Sequence, residues 1–216
     1  MTLEEAIAKI KPLDHNAMEI AQKRWDSIAK PLHSLGKLET LLIQIAGITG
    51  NAEVDLSRRG LIAMCADNGV VEEGVTQTGQ EVTAIVAENF LKYDTSVGVM
   101  CKQNHAEIFP VDMGMVTDTK VRTDHKIAYG TQNMTKGPAM TREQAVKGLE
   151  AGIDMVRELN DKGYRILATG EMGIGNTTTS SAVASVLLKQ PVEEMTGRGA
   201  GLTSEGLVRK INACLL

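Results

Sequence analysis

The sequence predicts an α/β protein in which a mostly parallel sheet follows a small, entirely helical N-terminal segment. Two observations carry that reading. Short apolar runs of strand length at 61–66, 106–111 and 165–168 alternate with longer stretches of helical periodicity. The first two of these runs close on a polar, glycine-containing turn, Asp67-Asn68-Gly69 and Asp112-Met113-Gly114, and a longer one at 170–179 follows the third. Such turns sit where open parallel sheets bind ligands, beyond the carboxyl ends of the strands. Residues 1–50 form the expected helical part of a small domain, and 51–216 the α/β nucleotide-binding domain.

The elements follow in order. Thr2 and Glu5 are spaced as a capping box, each side chain satisfying the other residue's free amide. A second helix carries Ala17, Ile20, Ala21, Arg24, Trp25 and Ile28 on one stripe and ends before Pro31. A third is expected from Ser34 as cap, with Leu35, Leu38, Leu42 and Ile45 inward and a stop at Gly47. After the strand at 61–66 a helix spans 81–91, with Val82, Ile85, Val86 and Phe90 on its inner side. Thr141 and Gln144 form another capping box, opening a helix that turns Val146, Leu149, Ile153, Val156 and Leu159 inward and ends at Gly163.

Composition narrows the function. The 216 residues are 43% hydrophobic, enough for a real core, and the net charge of −4 without a dense Lys/Arg cluster argues against a nucleic-acid surface. A small-molecule ligand is the expectation. Cys65, Cys101 and Cys214 are odd in number and never paired as C-x-x-C, so they read as reduced, buried thiols of a cytoplasmic protein. The acidic N-terminus lacks the pattern of a signal peptide, and no apolar run has membrane-spanning length. His15, His33, His105 and His125 show no ligand spacing, so neither a metal nor a cofactor is expected.

The stretch GEMGIGNTTT, Gly170 to Thr179, lies between a strand and a helix beginning at Thr177. A helix N-terminus offers unpaired amides and a favourable dipole to an anion, and glycine lets a ligand approach the backbone. Thr177, Thr178 and Thr179 add hydroxyl donors. An ordinary strand-to-helix turn with capping threonines is the competing reading. The stretch has neither the G-K-[ST] ending of a triphosphate loop nor G-x-G-x-x-G spacing, so a monophosphate fits best and a kinase or dehydrogenase is disfavoured. Glu171, a carboxylate beside a phosphate site, would orient a ribose hydroxyl or a cationic ring.

Together with ADNGVVEEGVTQTGQEVT (66–83), KPLHSLGKLE (30–39) and GPAMT (137–141), this stretch resembles the nicotinate-nucleotide:dimethylbenzimidazole phosphoribosyltransferases of cobamide biosynthesis, across essentially the whole chain. The resemblance implies a homodimeric, doubly wound α/β fold plus a small helical domain. It also implies transfer of ribose phosphate from nicotinate mononucleotide to dimethylbenzimidazole or a related base. Carried over by matching position, Gly173, Ile174, Gly175, Asn176 and Thr177 hold the phosphate. Gly197, Gly199, Ala200 and Gly201 form a second glycine turn near the nucleotide. Thr76 and Gln80, with Val82 nearby, line the aromatic-base pocket, and Asp67 belongs to the same site. The family commonly has His at Asn68 and Gly at His33. Its general base is a glutamate in a later segment, while this chain stops at Leu216 within an expected helix. The expectation is therefore a truncated chain, with the principal base beyond Leu216 and Glu171 as an auxiliary residue. The alternative is a non-catalytic nucleotide-binding fragment or partner subunit of such an enzyme.

Overall fold

The computed structural model describes residues 1–215. The chain divides into two compact units, Met1–Arg58 and a second from Arg59 onward. The first holds α1 (Leu3–Ala8), α2 (His15–Ser27) and α3 (Lys37–Thr49). Both halves of the Thr2/Glu5 capping box form, and the Asp14 carboxylate caps α2 by accepting the Ala17 amide at 2.9 Å. Helices α2 and α3 meet through small residues, with Ala17, Ala21, Ala46 and Gly47 buried. A Cβ on Gly47 would fall 2.7 Å from Met18, so this glycine serves the helix crossing.

Expectations for both α2 and α3 fail in part. Helix α3 starts at Lys37, because the 31–36 connector coils into turns, and it runs through Gly47 to Thr49 before Gly50 caps it. Leu35 and Leu38 are exposed, and the residue that turns inward near the helix start is Glu39. Its carboxylate accepts the Leu35 amide at 3.0 Å and meets the Lys30 ammonium at 2.9 Å, and the hydrogen bond from Lys30 holds its pKa down. Leu35 and Leu38 therefore yield the inner position to an ion pair that ties the connector to α3. On α2 the alanines are buried while Ile20, Arg24 and Ile28 stay exposed.

The second unit runs β1 (Arg59–Ala66), a 3-10 turn (Gly69–Glu73), α4 (Glu81–Lys92), α5 (Ser96–Gln103), β2 (Ala106–Gly114), α6 (Arg142–Asp161), β3 (Ile166–Met172), α7 (Asn176–Leu188), α8 (Val192–Met195) and α9 (Ser204–Leu215). The helix expected to run to the last residue is thus α9, and Leu216 itself lies outside the described residues. Among the described residues the strands pair in parallel in the order β2-β1-β3, with Arg59 opposite both Ala106 and Ile166. Pro110, which has no N–H to give, is tolerated because β2 lies at an edge.

Strand alternation divides the core. Ala63 and Cys65 turn to one face, where they pack with Ala84, Ala87 and Phe90 of α4. Ile62 and Val111 turn to the other, against Met155 and Leu159 of α6 and Tyr164, whose ring meets Phe109 edge-on at 5.2 Å. Helices on both faces make the unit a doubly wound α/β fold, as the sequence predicts. The inner faces are narrower than predicted. On α4 the side chains of Thr83, Ala84, Ala87 and Phe90 are buried and Ile85 is exposed. On α6 the buried row is Ala151, Met155 and Leu159, whose spacing of four keeps one line against the sheet, while Leu149 and Val156 fall outside it. The cysteines are free. Burial pushes the Cys65 thiol up to about 12 and raises those of Cys101 and Cys214.

Met155 is fully buried, and Leu149 and Val156 on the same helix are not. Met155→Ala is expected to lower the unfolding free energy by about 2–5 kcal/mol in urea titrations. Leu149→Ala and Val156→Ala should each change it by less than about 1 kcal/mol.

Candidate functional site

The strand order reverses between β1 and β3, since the chain leaves β1 for β2 on one side and returns to β3 on the other. In open α/β sheets ligands bind at such a reversal. Here the GEMGIGNTTT stretch leaves the sheet. Its first three residues complete β3, a longer strand than the sequence suggests, and Gly173-Ile174-Gly175 makes the turn into α7.

The turn is held from three directions. Gly173 sits so close to β1 that a Cβ would lie 2.1 Å from the Ala66 carbonyl oxygen, so no other residue fits. The Ile174 amide donates to the Thr83 hydroxyl of α4 at 3.0 Å, and the Ile174 carbonyl accepts from Asn68 Nδ2 at 3.1 Å. Gly175 has φ +90, a conformation that costs glycine little. The Asn176 and Thr178 amides are already spent on Gly173 and Gly175 carbonyls. Those of Gly175 and Thr177 donate to no acceptor among the described residues and remain available at the helix start.

A cleft of about 280 Å³ opens over this turn. Gly173, Ile174, Gly175, Asn176 and Thr177 line one side, Gly199 and Ala200 another, and Thr76 a third. Eight of the residues marked out in the sequence thus converge. Gly201 lies just behind, its carbonyl accepting from Gln77 Nε2 at 2.6 Å, and Gly197 offers its carbonyl to Lys210 at 3.0 Å.

Gln80, Asp67 and Glu171 are placed otherwise. Gln80 Nε2 donates to the Asn68 carbonyl at 3.1 Å, supporting the β1 turn rather than lining the cleft. Asp67 is fully buried, and its Oδ2 accepts the Val116 amide at 2.8 Å. Burial raises its pKa, against the pull of hydrogen bonds from Thr83 and Val116. Glu171, the last residue but one of β3, lies beside the cleft and accepts a hydrogen bond from Asn176 Nδ2. Its neighbours desolvate the carboxyl enough to raise its pKa, a tendency the Asn176 contact opposes. The principal base expected beyond Leu216 lies outside the described residues, so Glu171 is the carboxylate that this structure places at the turn.

The residue that sequence reasoning missed is Lys210. It is 1% exposed, yet its Nζ donates to Thr177 Oγ1 at 2.7 Å and to the Gly197 carbonyl at 3.0 Å. No carboxylate pairs with it among the described residues, and burial lowers its pKa. The signal was a lysine on the buried side of α9, in line with Gly206 and Ala213. Asn68 was also underrated. Besides holding Ile174, its Oδ1 accepts from Thr179 at 3.4 Å. Chemically, free amides, hydroxyls and a buried cation around one cleft describe a site for a compact anion. Among the described residues no cluster of His, Cys, Asp and Glu suits a metal ion, and no helix is long and apolar enough to cross a membrane.

A family model described as phosphoribosyltransferase matches residues 10–214. A curated protein of Ruminiclostridium cellulolyticum, named nicotinate-nucleotide--dimethylbenzimidazole phosphoribosyltransferase, is 51% identical over 98% of this chain and 60% of its own length. One of the same name from Clostridium tetani is 46% identical over 98% of this chain and 59% of its own. The crystal structure of CobT from Thermus thermophilus superposes with a TM-score of 0.83 at 36% identity, covering 93% of this chain and 61% of that one. The chain thus spans about 60% of the length of the curated relatives it matches.

The buried Asp67 carries a testable pH dependence. Its folded pKa is raised, so its stabilising contribution is full below the ordinary aspartate value, about 3.9, and declines as pH rises through the folded value. Asp67→Asn should flatten that decline in urea midpoints measured from pH 4 upward. Asp67→Ala, which strands the Val116 amide, should cost about 1–3 kcal/mol at neutral pH.

Proposed function

The chain belongs to the nicotinate-nucleotide:dimethylbenzimidazole phosphoribosyltransferase family, and we propose from that premise that its cleft binds nicotinate mononucleotide by the 5′-phosphate for transfer of the ribosyl phosphate to an aromatic base. The observation that carries the reading is Lys210. A buried ammonium with hydroxyl and carbonyl partners but no carboxylate is costly unless an anion completes its surroundings. The ammonium reaches the start of α7 through Thr177, where the Gly175 and Thr177 amides are free. A dianionic phosphate at that point satisfies all three.

With the phosphate fixed at α7, the ribose and its ring extend along the cleft between Gly199-Ala200 and Thr76. Glycine at 199 leaves room there. A Cβ would lie 2.8 Å from Thr177 Oγ1, and φ is +58. Departure of nicotinate neutralises a cationic pyridinium nitrogen, so this step needs no general acid. The incoming imidazole-type nitrogen loses its partner proton as it attacks the anomeric carbon, which calls for a carboxylate in hydrogen-bond reach. Glu171, raised in pKa and bound to Asn176, is the auxiliary carboxylate of this cleft, orienting the ribose or the ring. The principal base is assigned to the part of the relatives' length that this chain does not span. Positioning by the anchored phosphate is this chain's main contribution to rate. The same reading makes the protein a cytoplasmic homodimer. It assigns Gly173, Ile174, Gly175, Asn176, Thr177, Gly197, Gly199, Ala200 and Gly201 to the nucleotide and Thr76 to the base side, with Asp67 and Gln80 supporting that side from behind, the one fully buried and the other bound to the Asn68 carbonyl.

Calorimetry of nicotinate mononucleotide with the chain tests the proposal. Lys210→Met is expected to weaken binding at least about tenfold, corresponding to about 1.4 kcal/mol, while leaving the unfolding free energy unchanged or higher, since an uncompensated buried charge is removed. Gly175→Val, which adds bulk 3.0 Å from Val71 at a positive φ, should abolish binding. Binding that survives both substitutions, or equal affinity for nicotinate riboside without its phosphate, overturns the reading.

A further inference from the structure

The cleft over the α7 turn is short of charge. Among the residues that line it, Arg198 is the one charged side chain, and the wall formed by Thr76, Gln77 and Thr78 is neutral. That wall is also partly spent, since Thr76 Oγ1 donates to the Thr78 carbonyl at 2.8 Å and Gln77 Nε2 to Gly201. Arg198 is held by its own loop. Its carbonyl accepts the Gly201 and Leu202 amides at 3.2 and 3.1 Å. Its Nη1 donates to the Leu202 carbonyl at 2.8 Å and its Nη2 to Ser204 Oγ at 3.2 Å. These bonds use two of the five guanidinium N–H groups and leave three, on a side chain open to solvent. Among the described residues no carboxylate pairs with it, and Glu205 senses its charge without reaching it.

We infer that Arg198 recognises the carboxylate on the pyridinium ring of the nucleotide and thereby makes the cleft selective for nicotinate over nicotinamide mononucleotide. The inference rests on the nucleotide reading proposed above and deepens it. Nicotinate mononucleotide carries two anionic groups, the 5′-phosphate and the ring carboxylate. The first is matched at the start of α7 by the free amides and, through Thr177, by Lys210. The second needs another cation, and Arg198 is the one that the cleft wall supplies. A guanidinium suits a carboxylate better than it suits a neutral carboxamide, because it can give two parallel N–H···O bonds to a group of opposite charge. Glu171, of the same sign as the ring carboxylate and bound to Asn176 at the start of α7, turns that carboxylate away from itself.

Nicotinamide mononucleotide has the same phosphate, ribose and cationic ring, so the ratio of the two affinities isolates the carboxylate. Calorimetry on the wild-type chain, Arg198→Met and Arg198→Lys measures it. The wild type should bind nicotinate mononucleotide at least about tenfold more tightly than the nicotinamide form. Arg198→Met, which keeps the aliphatic stem, should bring the ratio below about twofold while affinity for the nicotinamide form stays within about twofold. Arg198→Lys, a point charge without the planar fork, should fall between. In the wild type the ratio should also shrink as salt is raised, because the guanidinium is exposed, and this measurement needs no variant to fold. A side chain that only braced its loop, or that held the phosphate, would lower both affinities together in Arg198→Met. Either result overturns the inference, as does a wild-type ratio near one or one that salt leaves unchanged. Equal binding of both forms leaves the phosphate site standing, whereas binding of neither removes the nucleotide reading and this inference with it.

Discussion

The site depends on one close approach. Gly173 lies against the end of β1 so tightly that a methyl group there would fall 2.1 Å from the Ala66 carbonyl oxygen. Because no side chain intervenes, the chain can leave β3, turn through Gly175 and start α7 directly over the point where the strand order reverses. A bulkier residue would push the start of α7 away from β1 and from Asn68, which grips both Ile174 and Thr179. The free amides of Gly175 and Thr177 would then no longer face the cleft shared with Gly199 and Ala200. A steric constraint of a few tenths of a nanometre thus decides where the helix dipole points.

Around that turn the fold distributes charge unevenly. Asp67 and Asp112 are fully buried at the ends of β1 and β2, and each is held by backbone amides, Val116 for the first and Gly114 and Met115 for the second. Asp112 also meets the Lys126 ammonium at 3.1 Å, and that cation lies over the Tyr129 ring. These carboxylates fix the 114–131 loop. On the other side of β1 the arrangement inverts: the buried charge is Lys210, and its partners are neutral. Buried carboxylates held by backbone amides brace the structure on one flank, and a buried cation without a carboxylate partner marks the other.

Most of this organisation was legible in the sequence, because it follows from local patterns. Strand-length apolar runs, capping boxes and glycine-rich turns each report on a few neighbouring residues, and the three strands, the Thr141/Gln144 cap and the Gly173–Thr177 turn stand where those patterns put them. What escaped depends on residues far apart in the chain. Helical periodicity gives a stripe but not its width, so Leu149 and Val156 were placed inward although the buried row is Ala151, Met155 and Leu159. The burial of Glu39 depends on the connector folding back to bring Lys30 within 2.9 Å. Lys210 becomes significant only when α9 brings it beside Thr177, thirty-three positions earlier. His33 is a smaller case. It occupies a φ of +58, where a glycine would be less strained, so a side chain here carries a local conformational cost.

A cleft assembled from backbone amides and small residues suits a reaction in which the leaving group departs unaided. In the reaction proposed above, the binding energy falls on a phosphate that takes no part in bond making and serves to hold the anomeric carbon in place. Such a site needs rigidity more than reactive side chains. The residues of this turn supply that rigidity: Thr83 and Asn68 clamp Ile174 from two elements, and Gln77 ties the Gly201 carbonyl across the cleft mouth. In that proposed reaction the reactive carboxylate has only one task, to accept a proton from the incoming base, and can be carried by any element that reaches the open side. Glu171 already occupies the near end of that side, its carboxyl raised in pKa by its neighbours. On that proposal anchoring and proton transfer are separated in space, and the residues that line the cleft all lie in the unit that begins at Arg59.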